Sequence, residues 1–210
     1  MKQQTKRYSF PVKTISVLAI ILLVIVFMSF SFKNETGISK VKSSTINKDS
    51  MESVKAFMDV YKVLMSPRCM NCHPFGDVPL QGDDSYLHNM LPRRGREGKG
   101  VYAMKCSSCH QPTNLEGLNK PPGNPNWHLP PANMKMVFEG RTPSQLAKQL
   151  VNPKTNGNKT LQQLIEHADD GLVKAGWDMG EGRPAPPLSY EEFKKAWITW
   201  IKTGAYAPKQ

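Results

Sequence analysis

All four cysteines of the 210-residue chain belong to two copies of the pattern Cys-x-x-Cys-His. The first motif contains Cys69, Cys72 and His73, and the second motif contains Cys106, Cys109 and His110. Thiols paired at this spacing occur in dithiol redox centres, in zinc sites and where haem is attached covalently to a protein. The residue types therefore indicate redox or metal chemistry, and the two histidines discriminate among these uses.

The histidine that closes each motif favours covalent haem. A thioredoxin-like redox pair needs one such motif beside a βαβ unit, which the sequence lacks. A zinc site of four cysteines tolerates the spacing and structural disulfides are a further alternative, but neither gives both histidines a role. In covalent haem the two thiols add to the vinyl groups of the porphyrin, and the adjacent imidazole ligates the iron. We therefore predict two covalently bound haem c groups, one at each motif.

The spacing between the motifs constrains the domain that holds them. Cys69 and Cys106 lie only 37 residues apart. A cytochrome domain that wraps one haem needs on the order of a hundred residues, so two complete tandem domains do not fit. Both haems are expected to share one compact domain. The short tether also predicts that they lie close together, which suits the transfer of an electron from one iron to the other.

Three further histidines are candidates for the sixth ligand of each iron, namely His88, His128 and His167. His88 follows the first motif and His128 follows the second at comparable distances, both in predicted loops, whereas His167 lies on a predicted helix. Methionine ligation would raise the redox potential relative to two imidazoles, and Met134 and Met136 are the best placed for it. An iron without a sixth protein ligand would admit peroxide or another small ligand, and the sequence leaves this open for one haem.

The N-terminal segment has the pattern of a membrane helix. Four basic residues, Lys2, Lys6, Arg7 and Lys13, precede an uncharged apolar run at residues 15–32. Eighteen such residues are about the length that crosses a hydrocarbon core, and the basic flank keeps the N-terminus in the cytoplasm.

We predict a retained signal-anchor helix within residues 1–32, with cleavage of a signal peptide as the alternative. Either way, the rest of the chain lies on the periplasmic side of the bacterial inner membrane.

The rest of the chain divides into a linker and one domain. Residues 33–50 are polar, lack apolar periodicity and are expected to be a linker. The dihaem domain then covers residues 51–210. The chain is only 39% hydrophobic and contains 17 prolines and 15 glycines, so a loop-rich domain stabilised by a buried cofactor is expected.

Helical spacing and the absence of sustained alternation predict an all-α, cytochrome c-like fold for this domain. Apolar residues recur at helical intervals from Met51 to Met65, and Pro67 is expected to end that helix. Capping-box patterns at Thr142 and Ser189 predict two more helices. A further helix is expected from about Lys159 to Lys174.

The net charge of +11 includes the four basic residues of the N-terminal segment. Most other basic residues are scattered, with one cluster at Arg93, Arg94, Arg96 and Lys99. Export argues against nucleic acid as a partner. The cluster is expected to be a solvated loop, and docking to an acidic redox partner or pairing with acidic groups of a cofactor are the functional alternatives.

Longer stretches of the chain resemble a known family. GREGKGVYAMKCSSCHQ is similar to the start of a cytochrome c haem helix. CMNCHPFGDVPLQGDD, PPGNPNWHLPPANMKMVFEGRTPSQL and GWDMGEGRPAPP resemble exported dihaem cytochromes c that are often labelled isoquinoline 1-oxidoreductase cytochrome c subunits. The resemblance covers most of residues 60–205. It implies that a molybdenum hydroxylase, which oxidises an N-heteroaromatic compound or an aldehyde, donates electrons to the chain.

These features predict an electron carrier. It would take single electrons from an upstream dehydrogenase and pass them to another cytochrome or to a terminal oxidase of the respiratory chain. No substrate bond need change, so the chain is not expected to be an enzyme by itself. A dihaem peroxidase-like enzyme with one open iron is the main alternative, and a haem-based sensor is the third.

Overall fold

The structure is a computed structural model that describes residues 36–209, with side chains from residue 48 onward. Residue contacts divide the chain into two units, Met1–Asn47 and Lys48–Gln210. The apolar run at residues 15–32, for which the sequence predicts a membrane helix, lies outside the described residues. Among the residues that are described, no helix has the length and hydropathy of a membrane span.

The regular secondary structure of residues 36–209 is mainly helical and consists of six α-helices and four strands of two residues each. The helices are α1 (Thr36–Leu64), α2 (Pro67–Met70), α3 (Pro143–Val151), α4 (Leu161–His167), α5 (Gly171–Lys174) and α6 (Tyr190–Lys202). The strands are β1 (Leu80–Gln81), β2 (Tyr86–Leu87), β3 (Gly100–Val101) and β4 (Met104–Lys105), and 3₁₀ turns lie at Cys106–Ser108 and Ala175–Trp177. The mainly helical class that the sequence predicts is confirmed.

Helix α1 is longer than the sequence predicts. It begins at Thr36, so residues 36–50 of the predicted linker are helical. Those residues lack the apolar periodicity that signals packing, but no proline occurs between Pro11 and Pro67 to stop a helix from propagating. Pro67 follows the end of α1, as predicted, and also begins a second helix. It occupies the first turn of α2, where its missing N–H costs nothing.

The hydrophobic core of residues 48–209 lies between three helices. Its buried side chains include Phe57, Val60 and Val63 of α1, Leu146, Ala147 and Leu150 of α3, and Trp197, Trp200 and Ile201 of α6. The rings of Phe57 and Trp200 lie 4.7 Å apart, and the Ser53 hydroxyl donates a hydrogen bond of 2.9 Å to the Trp200 carbonyl. Cys69 and Met70 pack against this core, so the hydrophobic core supports the first motif.

Both predicted capping boxes are present, and a third occurs that the sequence analysis missed. Thr142 and Ser189 each accept a hydrogen bond at the start of α3 and α6. Thr160 does the same for α4. The single helix predicted from Lys159 to Lys174 is wrong, because Asp170 accepts a hydrogen bond of 2.8 Å from the Leu172 N–H and begins α5 as a separate helix.

Two short hairpins position the chain around the motifs. β1 pairs with β2 in antiparallel register, and the Leu80 N–H donates a hydrogen bond of 2.9 Å to the carbonyl of Asn71 inside the first motif. β3 pairs with β4, and β4 leads directly into the 3₁₀ turn at Cys106–Ser108 that begins the second motif. The hairpins therefore connect the two motifs through short hydrogen-bonded segments.

The proline-rich residues 112–133 are held in place by backbone hydrogen bonds. The Leu129 N–H donates a hydrogen bond of 2.9 Å to the Gly98 carbonyl, and the Ala132 N–H donates one of 3.1 Å to the Arg96 carbonyl. Gly98 has a φ of +79°, and a Cβ at this position would collide with the Leu129 carbonyl. Only glycine fits this close approach, which aligns the proline-rich loop with the segment before the second motif.

Candidate functional site

The first motif winds through one helical turn at the edge of a large cavity. Cys69 lies in α2, the Cys72 N–H donates a hydrogen bond of 3.2 Å to the Cys69 carbonyl, and the His73 N–H donates one of 2.9 Å to the Met70 carbonyl. This winding brings both thiols and the imidazole of the motif to the wall of the same cavity.

The cavity beside the first motif has a volume of about 670 Å³. Pockets that bury small molecules and cofactors span roughly 300 to 1,000 Å³, so the space is large enough for a cofactor. Its other lining residues include Trp127, His128, Met134, Met136, Phe138, His167, Trp177, Met179 and Trp197. Most of this wall is apolar or aromatic, with a few convergent ligand-forming side chains.

His73 is fixed in a single orientation by two contacts. Its Nδ1 lies 2.7 Å from the Met136 carbonyl, and its ring stacks on Phe138 with 3.8 Å between centroids and 8° between planes. A carbonyl only accepts hydrogen bonds, so Nδ1 carries the proton and Nε2 keeps its lone pair for a metal. Burial, aided by the charges of Arg94 and His167, lowers the pKa of His73 to about 4 and keeps the imidazole neutral.

The thiols of the first motif are also held in their neutral form. Burial, with a smaller contribution from the charge of Cys72, raises the pKa of Cys69 to about 12. Burial and the charge of Cys106 raise the pKa of Cys72 to about 11. All four cysteines of the chain are free of disulfides.

The second motif repeats the arrangement of the first. Cys106 begins a 3₁₀ turn, and the His110 N–H donates a hydrogen bond of 3.0 Å to the Cys106 carbonyl. His110 Nδ1 lies 2.8 Å from the Pro122 carbonyl, and its ring stacks on Trp127 with 4.1 Å between centroids and 11° between planes. This histidine therefore also presents Nε2, and burial lowers its pKa. Cys109, unlike the other three thiols, is exposed.

The two motifs are close enough to influence each other. The charge of Cys106 contributes to the raised pKa of Cys72, so thiols of the two motifs interact electrostatically. Trp127 links the two sites physically, because it stacks on His110 and lines the cavity of the first motif.

The three candidate sixth-ligand histidines lie in places that their order in the sequence does not suggest. His88, which follows the first motif, has its ring centroid 6.3 Å from that of His110 in the second motif. His128, which follows the second motif, lines the cavity of the first, as does His167 at the end of α4. His88 and His128 therefore each lie beside the motif that they do not directly follow in the sequence.

The methionine candidates differ in their availability. Met134 and Met179 line the first cavity. Met136 also lines it, but its sulfur accepts a hydrogen bond of 3.3 Å from Gln149 and its carbonyl holds His73 from behind. Met136 therefore contacts His73 through its carbonyl, and its sulfur already has a hydrogen-bond partner.

Two residues that support the site carried no recognisable signal in the sequence. Phe138 packs beneath His73 from 65 residues away along the chain, and its own N–H donates a hydrogen bond of 2.9 Å to the His73 carbonyl. Arg94 was expected to be solvated with the rest of its cluster, and this prediction is wrong. Its side chain is 1% exposed, whereas Arg93, Arg96 and Lys99 are not buried.

The chain matches no family model, no curated protein and no solved structure. Within the described part of the chain, no three His, Cys, Asp or Glu side chains gather as a cluster that could hold a metal ion. The donor sets that the structure does present are single neutral imidazoles, each next to a cysteine pair. Such a set fits a porphyrin iron, because the porphyrin supplies the other four ligands.

Proposed function

We propose that the chain is a dihaem c-type cytochrome that relays single electrons on the periplasmic side of the bacterial inner membrane. Cys69, Cys72 and His73 would hold one haem c, and Cys106, Cys109 and His110 would hold the other. The N-terminal segment would anchor the chain to the membrane.

The observation that carries this proposal is the geometry shared by the two motifs. In each, a cysteine pair precedes a histidine whose Nδ1 donates to a backbone carbonyl and whose ring lies flat against an aromatic side chain. The partners are different residues in the two cases, Met136 and Phe138 for His73, and Pro122 and Trp127 for His110. Two unrelated surroundings thus leave the same Nε2 atom available.

The protein groups around the first motif have distinct tasks in this proposal. Bound haem supplies an iron that accepts and releases one electron as it alternates between the ferric and ferrous states. The thiols of Cys69 and Cys72 fix the porphyrin edge, and Phe138 together with the Met136 carbonyl sets the plane and tautomer of His73. The apolar walls of the cavity exclude water, which tunes the potential.

The proximity of the motifs suits a relay between two irons. The indole of Trp127 contacts His110 of the second motif while it lines the cavity beside the first motif. One electron taken from a donor at one haem would pass to the other without a mobile carrier. The donor would be a dehydrogenase, with a molybdenum hydroxylase as the candidate that the family resemblance implies. The acceptor would be a downstream cytochrome or oxidase.

The proposal is tested by a redox titration of the purified, haem-loaded protein. We expect two one-electron transitions, and we expect that the reduced protein does not consume peroxide. Alanine should replace both cysteines of one motif, either Cys69 and Cys72 or Cys106 and Cys109. We expect each of these double variants to lose one redox transition and half of the haem. A protein that turns over peroxide would instead support the dihaem peroxidase-like alternative, and one with no redox transition would refute both.

A further inference from the structure

An imidazole that the attachment scheme does not use lies beside the second motif. The rings of His88 and His110 have centroids 6.3 Å apart and planes inclined at 63°. Two imidazoles that bind one iron from opposite sides place their centroids roughly 6 to 6.5 Å apart, because each metal–nitrogen bond is about 2 Å long. Each axial imidazole can rotate about its own bond to the iron, so an angle of 63° is compatible with this geometry.

The tautomers of the two histidines match the same geometry. His88 Nδ1 lies 2.6 Å from the Asn89 carbonyl, and His110 Nδ1 lies 2.8 Å from the Pro122 carbonyl. Because a carbonyl can only accept, both Nδ1 atoms carry the proton and both Nε2 atoms keep a lone pair. Histidines that bind metals are oriented in this way, with the second ring nitrogen donating to a carbonyl.

The backbone around His88 is held in an uncommon conformation. The His88 N–H donates a hydrogen bond of 3.0 Å to the Pro79 carbonyl at the end of the β1–β2 hairpin. The turn continues through Met90 and Leu91, which have φ angles of +66° and +50°, and closes with a hydrogen bond from the Leu91 N–H to the His88 carbonyl. Left-handed φ angles are uncommon for non-glycine residues, and such strain concentrates at ligand-binding positions.

Exposed apolar side chains flank both histidines along the chain. In the sequence, Leu87, Met90 and Leu91 adjoin His88, and Leu115 and Leu118 follow His110. Exposed apolar side chains next to ligand-forming histidines are the kind of surface that a bound apolar group covers. A porphyrin between the two imidazoles would account for the exposed side chains next to His88 and for the free Nε2 atoms.

We propose that His88 is the sixth ligand of the iron held by His110, so that the second haem is bound by two imidazoles. This inference rests on the proposed function, since it presupposes a haem at the second motif. It means that a histidine following the first motif in sequence serves the second. The iron of the second haem would then be closed to carbon monoxide and peroxide.

The test is the spin state of His88→Ala in the haem-loaded protein, read by electron paramagnetic resonance and by carbon monoxide binding. We expect one of the two haems to become high-spin, to bind one carbon monoxide per chain when reduced, and to return to low spin when imidazole is added. Asp84→Ala is the matched control, because this exposed side chain lies in the turn of the same hairpin, and it should leave the spin state unchanged. If His88→Ala leaves both haems low-spin and inert to carbon monoxide, the inference is overturned.

A second pair of variants identifies which haem His88 serves. In a background with Cys106 and Cys109 replaced by alanine, only the first haem remains, and adding His88→Ala should not alter its spin state. A change to high spin in this background would overturn the assignment of His88 to the second iron. Haem content of the unmodified protein tests the proposed function separately, because a chain without haem would refute that function before any spin state is measured.

Discussion

Replacement of Arg94 by methionine should strongly destabilise the domain. The buried guanidinium donates hydrogen bonds to the Pro130 carbonyl at 2.6 Å and to the Gly76 carbonyl at 3.1 Å. It thereby joins the loop after the first motif to the proline-rich loop. Its Nε is buried without a hydrogen-bond partner and lies 3.7 Å from Asp77.

The magnitude follows from these contacts. A hydrogen bond to a charged group contributes about 1.5–3 kcal/mol, and removing one side of a buried charged network costs about 3–5 kcal/mol. Arg94→Met leaves the Pro130 and Gly76 carbonyls without their donor, so we expect a loss of about 3–5 kcal/mol in the free energy of unfolding. Arg94→Lys keeps the charge but lacks the planar fork, so about half of that loss is expected.

Guanidinium chloride unfolding of the haem-loaded protein, followed by circular dichroism and by haem absorbance, measures this effect. Arg93→Ala is the matched control, because the neighbouring side chain is exposed and its removal should change stability by no more than about 0.5 kcal/mol. If Arg94→Met unfolds at the same denaturant concentration as Arg93→Ala, the buried guanidinium does not hold these loops together and the reasoning is wrong.

Three further predictions concern the supports of the site and the fold. Phe138→Ala opens space beneath His73 and should lower stability by about 3–5 kcal/mol, measured by chemical unfolding, whereas Phe138→Leu should lower it less. Trp127→Ala removes the ring stacked on His110 and should shift the paramagnetic resonance signal of one haem, while Trp127→Phe should leave it close to the unmodified spectrum. Ser189→Ala removes a capping box and should cost about 1 kcal/mol, measured by thermal melting.

Features that depend on short stretches of sequence were predicted well. The capping boxes at Thr142 and Ser189 are local, because each side chain bonds a backbone group three residues away. The grouping of the cysteines with His73 and His110 is equally local, since one helical turn brings them together. Patterns that span four or five residues therefore predict the starts of α3 and α6 and the grouping of the side chains within each motif.

Features set by tertiary contacts escaped the sequence analysis. Phe138 reaches His73 across 65 residues of chain, and Arg94 is buried because its acceptors come from residues 76 and 130. The positions of His88 beside His110 and of His128 at the first cavity have the same cause. The hairpin after the first motif carries His88 towards His110, a result of strand pairing that distance along the sequence does not encode.

The predicted boundaries of two helices were wrong for a different reason. Residues 36–50 lack the periodicity that marks a packed helix, yet nothing in them stops α1 from extending. Conversely, the periodic stretch from Lys159 to Lys174 is interrupted where Asp170 caps a new helix just before Gly171. Periodicity indicates which face of a helix packs, whereas the positions at which helices begin and end depend on individual capping residues.

The covalent attachment of two haems is tested most directly by the intact mass of the mature, denatured chain, together with its iron content. The account predicts the mass of the polypeptide plus two haem groups of roughly 0.6 kDa each, with two iron atoms per chain. A mass equal to that of the polypeptide alone, or zinc in place of iron, would contradict it.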